Sequence, residues 1–343
     1  MRFVACSEPP KEKTGRKVAI IGAGPGGLAA AGILVCEGHS VYVYDMLPEP
    51  GGMLIFGIPD IRMPKENIVK GIRELEKFGV RFILGKKVGR DVSFDEILSN
   101  YDATIIATGA WEDIRIDIPG VDSKGVHFAL DFLVRIAMVN RGYLDKNEFP
   151  KIGKRVVVIG GGDTAIDAAI VSKHYGAEDV IIVYRRTREY MPAHEHEIRN
   201  AEKRGVKFMF LVSPVRILTD ENNNVRAIEL EEMELGEPDA SGRPRPIPTG
   251  RRKTVECDTI IFAIGERATP PFDRPERYGI KVDSKRRILV DENYMTTRPG
   301  VFAIGDVVTG PKDIASAIKA AKIAAKAANE YLRKISSCGF SEE

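Results

Sequence analysis

The chain has 343 residues, 51 basic against 49 acidic, and a formal net charge of +2, which gives no electrostatic case for nucleic acid or an anionic membrane. No apolar run is long enough to span a bilayer, and the N-terminus lacks the apolar stretch of a signal peptide. The four cysteines (Cys6, Cys36, Cys257 and Cys338) form no CxxC pair, so a reducing cytoplasm is expected, with no metal or iron–sulfur cluster ligated by this chain alone.

In chain order, KVAII (17–21) reads as a fully buried parallel strand. Gly22, Gly24 and Gly27 follow in GxGxxG spacing. The first glycine permits a tight turn, the second lets the backbone approach a pyrophosphate, and the third lets the helix pack on the strand. Pro25 and Gly26 open that helix, LAAAGILVCEG follows, and its N–H groups and dipole favour a diphosphate. The next strand, SVYVYD, ends at Asp45, where an acid can bind a ribose hydroxyl pair. A third strand, YDATIIATGA, ends in Ala107, Thr108 and Gly109, which let another backbone come close beneath a cofactor.

The whole unit then repeats. KRVVVIGGGDTAIDAAIVSKHYGAEDVIIVYRR supplies a strand, Gly160 and Gly162, a helix opened by Asp163 and Thr164, and a second strand. Ala165 stands where the first loop has its third glycine. Arg185 and Arg186 end the second strand where Asp45 ended the first, and two guanidinium groups there would grip a 2′-phosphate, favouring NADPH over NADH. The plain alternative is a solvated strand end and an NADH site. In AHEHE, His194 and His196 resemble metal ligands, but the segment is expected to open a charged surface helix, where i and i+2 share no face. The run GEPDASGRPRPIPTGRR (236–252) reads as a hairpin or loop extending the second unit, and CDTIIFAIGERATP closes that unit at Gly265.

TTRPGVFAIGDVV (296–308) returns to the first unit and ends in Gly305 and Asp306. An acid there can hydrogen-bond the ribityl chain of a flavin, which NAD lacks; a turn cap is the bland reading. From Asp313 and Ile314 a long Ala-rich helix should run to about Lys334, its positive end toward the flavin. These residues assign FAD to the first loop. On this helix Lys319, Lys322 and Lys326 form one face, either solvated or able to dock an acidic iron–sulfur partner. The expected architecture is α/β with two Rossmann-like dinucleotide-binding domains. A discontinuous FAD domain (1–115 and 268–343) carries an inserted NADPH domain (116–267).

Beyond these loops, PGGMLIFGIPDIRMPK (50–65), VVVIGGGDTAIDAA, VYRRTREYMPA (183–193), MELGEPDASGRPRP and TTRPGVFAIGDVVTGP make the chain resemble the small (beta) subunit of glutamate synthase and its relatives, from about residue 17 to 332. The resemblance implies a pyridine nucleotide-disulfide reductase-like flavoprotein that takes hydride from NADPH and passes electrons to an iron–sulfur protein or larger catalytic subunit. It implies that Gly52, Met53 and Arg62 lie along the flavin, with Val88 in the same set, and that Arg185 and Arg186 take the NADPH phosphate. Relatives carry a cysteine-rich N-terminal domain that ligates iron–sulfur clusters; residues 1–16 are expected to be only its linker. Two other readings stand beside this one. A non-catalytic flavin-bound scaffold or redox sensor has no need of a phosphate clamp. A thioredoxin reductase-like enzyme needs a CxxC pair.

Overall fold

The computed structural model describes residues 1–239 and 242–338. The chain forms two compact units, Met1–Glu112 with Glu266–Glu343, and Asp113–Gly265, so it passes between them twice. The first unit begins with β1 (Lys17–Ile21), α1 (Pro25–Cys36), β2 (Ser40–Tyr44), a short α2 (Met53–Phe56), α3 (Glu66–Lys77), β3 (Arg81–Ile83), α4 (Phe94–Asn100) and β4 (Ala103–Ile106). After β5 (Ala110–Asp113) comes the second unit. Its parallel part is β6 (Val126–Phe128), α5 (Ala129–Asn140), β7 (Arg155–Ile159), α6 (Asp163–His174), β8 (Asp179–Tyr184), α7 (Glu195–Lys203) and β9 (Lys207–Phe210). Three long strands, β10 (Val212–Thr219), β11 (Val225–Pro238) and β12 (Pro244–Glu256), precede β13 (Thr259–Phe262). The first unit then resumes with β14 (Glu266–Ala268), β15 (Val301–Ala303), a short α8 (Asp306–Thr309) and α9 (Ile314–Cys338).

Each unit is built on a five-stranded parallel sheet, in the order β15-β4-β1-β2-β3 and β6-β13-β7-β8-β9. The middle strands are apolar on both faces because both sides of each sheet are covered, as parallel sheets require. Register aligns the C-terminal ends. Ile21 lies opposite Tyr44 and Ile106, and Ile159 lies opposite Val183 and Phe262. All the glycine-bearing turns therefore leave from one edge of their sheet, the edge where open α/β sheets bind ligands. In the second unit β10-β11-β12 form an antiparallel sheet, whose Ile217, Ile228 and Leu230 share a core with Val157, Ile159 and Phe262.

In the first unit α1 is buried over most of its length, because α9 covers it. Small residues make that contact possible, since α9 buries Ala317, Ala320, Ala321, Ala324, Ala325 and Ala328. Lys319, Lys322 and Lys326 are exposed on the other side. Polar groups fasten the far end of the helix pair: Asn329 Nδ2 donates to Glu37 Oε2 at 2.7 Å, and Asn329 Oδ1 lies 3.0 Å from His39 Nε2. No helix of the described residues is long and apolar enough to cross a membrane.

One expectation is corrected. The scattered cysteines were expected to be thiols, but Cys6 and Cys36 form a disulfide with Cα atoms 5.8 Å apart. The cause is the N-terminal segment, which lies on α1 instead of trailing as a linker. Phe3 and Val4 are buried, and Ala5 N donates to Gly32 O at 3.5 Å. A Cβ on Gly32 would sit 2.0 Å from Phe3 O, so glycine there admits the segment that delivers Cys6. Cys257 is a buried thiol pushed up to about 12 by desolvation. The Cys338 side chain lies outside the described residues. Because the bridge closes 30 residues, replacing Cys36 with Ser is expected to lower stability by about 2–4 kcal/mol. Denaturant midpoints of the oxidised chain with and without reductant check this; equal midpoints would contradict it.

Candidate functional site

The two parallel sheets build their glycine turns in the same way, bond for bond. Gly22 N donates to Tyr44 O at 2.7 Å, and Gly160 N to Val183 O at 3.0 Å. Ala107 N donates to Ile21 O at 2.7 Å, and Ala263 N to Ile159 O at 2.8 Å. A Cβ on Gly22 or on Gly160 would lie 2.2 Å from the carbonyl oxygen of Ala107 or Ala263 respectively. Both first glycines also hold positive φ, +110° and +153°. Side chains are thus excluded twice over at these two positions, by the neighbouring strand and by the backbone.

In the first unit the turn leads to α1, capped by Gly24 with Pro25 in its first turn and no acid there. The amides at this end meet no competing carboxylate, which suits an anionic ligand. Gly27 packs on the turn itself, where a Cβ would sit 1.9 Å from Gly22 O. Gly26 lies against Ile304 and α9, while Gly24 opens to free space. Gly52 crosses above, where a Cβ would come 2.9 Å from Gly24 Cα, and Met53 begins α2 behind it. Around the same edge stand Ala107, Thr108 and Gly109 after β4, and Gly305 and Asp306 after β15. Thr108 Oγ1 is buried and has no hydrogen-bond partner within the protein. A buried hydroxyl left unpaired costs free energy that a polar ligand would recover. The cradle of Gly24, Gly52 and this orphan hydroxyl fits a dinucleotide.

The acids at this edge are differently placed. Asp45 is 8 % exposed, and its two oxygens accept Ala23 N at 2.6 Å and Leu47 N at 2.8 Å. Burial pushes its carboxyl above the usual aspartate range although both amides pull it down. Its observed partners are backbone amides, so it also pins the glycine turn to the end of β2. Asp306 accepts Lys312 N at 3.1 Å, and burial pushes it up to about 6. Asp313 caps α9 through Ser316 N at 2.7 Å and Ser316 Oγ at 3.1 Å, which hold it below the usual range, and Ile314 begins the helix. Val88 packs in the core with Ile106 and Val307, and Arg62 is half-buried between α2 and α3.

In the second unit Gly162 caps α6, and Asp163, Thr164 and Ala165 form its first turn. Asp163 is engaged by His194, whose backbone N donates to Oδ1 at 3.0 Å and whose Nδ1 lies 2.7 Å from Oδ2. His194 is thus the cap of α7, and His196 sits beside Glu197 at 3.3 Å. Gly265 follows β13 at the place Gly109 holds after β4.

The register corrects the reading of the β8 end. Because Val183 takes the role of Tyr44, the place of Asp45 belongs to Tyr184, with the arginines one and two residues beyond. Tyr184 lies under Gly161 as Asp45 lies under Ala23, with ring carbons 2.5 Å from where a Cβ of Gly161 would be. Of the two arginines, Arg185 is exposed. Arg186, expected to share a phosphate, is 2 % exposed and turned away. Its Nη2 donates to Asp239 Oδ2 and its Nε to Pro244 O, both at 2.7 Å. Next to it, Thr187 Oγ1 is the second buried hydroxyl without a partner. Sequence gave no signal for Thr187 or Asp239. The Arg186–Asp239 pair spans 53 residues and joins two kinds of sheet.

Comparison with known proteins agrees with this geometry. The family model described as pyridine nucleotide-disulphide oxidoreductase matches residues 16–322. The glutamate synthase (NADPH) small chain of Escherichia coli (strain K12) is 38 % identical over 329 residues, covering 94 % of this chain and 70 % of its own length. The NADP(+)-dependent formate dehydrogenase subunit beta of Moorella thermoacetica is 38 % identical over 330 residues, and this chain spans only 44 % of it. Among solved structures, Mycobacterium tuberculosis FprA in complex with NADPH shares the fold, with a TM-score of 0.80 at 23 % identity over 96 % of this chain and 87 % of that one. The chain belongs to the pyridine nucleotide-disulphide oxidoreductase family, as a relative of the glutamate synthase small chain.

Proposed function

We propose that the chain receives hydride from NADPH at the second loop and delivers electrons, through FAD at the first loop, to an iron–sulfur partner protein or larger catalytic subunit. The observation that carries this reading is the pair of matched loops that differ at their second strand. One ends in the buried acid Asp45, the other in Tyr184 and the exposed Arg185. The chemistry is the cofactors' own: hydride from nicotinamide to flavin, then electrons onward. The protein's residues bind and orient. The amides of α1, the Gly24–Gly52 crossing, Thr108 Oγ1 and Asp306 hold FAD, and the amides of α6 with Arg185 hold NADPH.

A disulfide-reductase reading finds no support in the thiols of the described residues. The Cys6–Cys36 bridge lies at the end of α1 remote from the glycine turn, about 18 Å along the helix axis. Cys257 is a single buried thiol. The name of the Moorella relative, a formate dehydrogenase subunit beta, supports a chain that works beside a partner.

Anaerobic titration of the flavin band with NADPH and with NADH tests the central claim: bleaching at low NADPH and only at much higher NADH is expected. Equal response to both would remove the role of Arg185. The variant Arg185→Ala is expected to raise KM for NADPH about tenfold or more, one charge-assisted contact, while leaving kcat and the KM for NADH unchanged.

Asp306 makes a second prediction. Its folded pKa, about 6, lies above the ordinary aspartate value. The folded flavin-free chain therefore binds more protons than the unfolded one, and the stability this group contributes is present at acid pH and lost as pH rises through about 6. Asp306→Asn is expected to stabilise the flavin-free protein by roughly 2–3 kcal/mol at pH 7 and to make little difference below pH ~4, while loosening retained flavin. Melting curves at the two pH values and the flavin content after dialysis check both halves.

A further inference from the structure

Arg186 poses a question that the two-loop reading leaves unanswered. It is a guanidinium at the end of β8, yet it is buried and both of its described contacts go to the β11–β12 hairpin. A buried ion pair adds little net stability, because desolvation offsets the attraction; what it does provide is a fixed place. Four further bonds show how firmly that place is fixed. Leu211 N donates to Arg186 O at 3.2 Å, and Met233 N donates to Leu211 O at 2.8 Å, with Leu211 itself held at φ +56°. At the crown, Asp239 N donates to Arg243 O at 2.8 Å and Gly242 N to Asp239 O at 2.8 Å. The hairpin is thus tied to the end of β8 along its β11 strand and again at its crown. The residues on either side of Arg186 are the exposed Arg185 and Thr187, whose buried Oγ1 has no partner among the described residues.

We propose that the hairpin crown is a specificity element for the 2′-phosphate of NADPH. Arg186 clamps Asp239 and Pro244 at the end of β8, and this holds Arg185 and Thr187 Oγ1 in position to meet the phosphate. Arg186 and Asp239 are positioning residues in this scheme, and Arg185 and Thr187 are the contacts. The ends of β11 and β12 at Asp239 and Pro244, which have no role in the hydride step, gain one beside the nucleotide site. This inference rests on the assignment of NADPH to the second loop.

The test compares two small probes on the flavin-loaded protein: adenosine 2′,5′-bisphosphate, which carries the 2′-phosphate, and 5′-AMP, which lacks it. Asp239→Ala is expected to weaken the bisphosphate about tenfold and leave 5′-AMP unchanged, the size of one charge-assisted contact. KM for NADPH should rise with kcat intact and KM for NADH unmoved. Asp239→Glu should restore part of the loss. Arg186→Ala with Asp239→Ala should be no worse than the poorer single variant, since both remove one clamp. Should Asp239→Ala fail to fold, the near-isosteric Asp239→Asn carries the same comparison. Equal weakening of both probes, or none, overturns the proposal. The controlling arm is Arg185→Ala. If it leaves the bisphosphate unaffected, the assignment of the second loop falls; if it weakens the bisphosphate while Asp239→Ala does not, only the role of the hairpin falls.

Discussion

Both halves of this molecule depend on one steric constraint: the first glycine of each turn meets the carbonyl of the closing strand where no side chain fits. The contact is the same in each, 2.2 Å from a notional Cβ to Ala107 O or to Ala263 O. It lets the chain turn sharply at the sheet edge and start a helix at once, so that the N-terminal ends of α1 and α6 lie at that edge. Everything else at the edge is arranged around that opening. Gly52 closes over Gly24, Thr108 follows the closing strand with its hydroxyl unpartnered among the described residues, and Asp45 pins the turn through Ala23.

Sameness of construction makes the differences informative. The first helix has no acid in its opening turn, whereas the second begins with Asp163, its charge shared with His194. A carboxylate at the positive end of a helix is stable there but lowers the potential that attracts a diphosphate. The first strand ends in a buried acid, the second in an aromatic ring followed by two arginines with opposite fates.

Most of the fold was legible because it depends on local pattern. Buried apolar pentads, glycines at fixed offsets and Ala-rich helices announce βαβ units within a window of about thirty residues. What could not be read depends on distance. Whether Arg186 faces solvent or the hairpin is decided by Asp239, 53 residues on, and Cys6 meets Cys36 only because Gly32 admits the N-terminal segment. The one-residue displacement of the arginines from the place of Asp45 was likewise invisible. It is fixed by strand register, and a slip of one changes which side chain lies under the turn.

The two sheets also differ in where their fifth strand comes from. In the inserted unit the outer strand β6 precedes the glycine turn, so residues 113–265 contain everything their sheet needs. In the surrounding unit the outer strand β15 and the covering helix α9 come from the far end of the chain. During synthesis the inserted unit can therefore complete its core while the other still lacks a sheet edge and the lid on α1. Long-range closure of this kind is slow and leaves apolar surface open meanwhile. The alanines of α9 finish the core that β1 and α1 began.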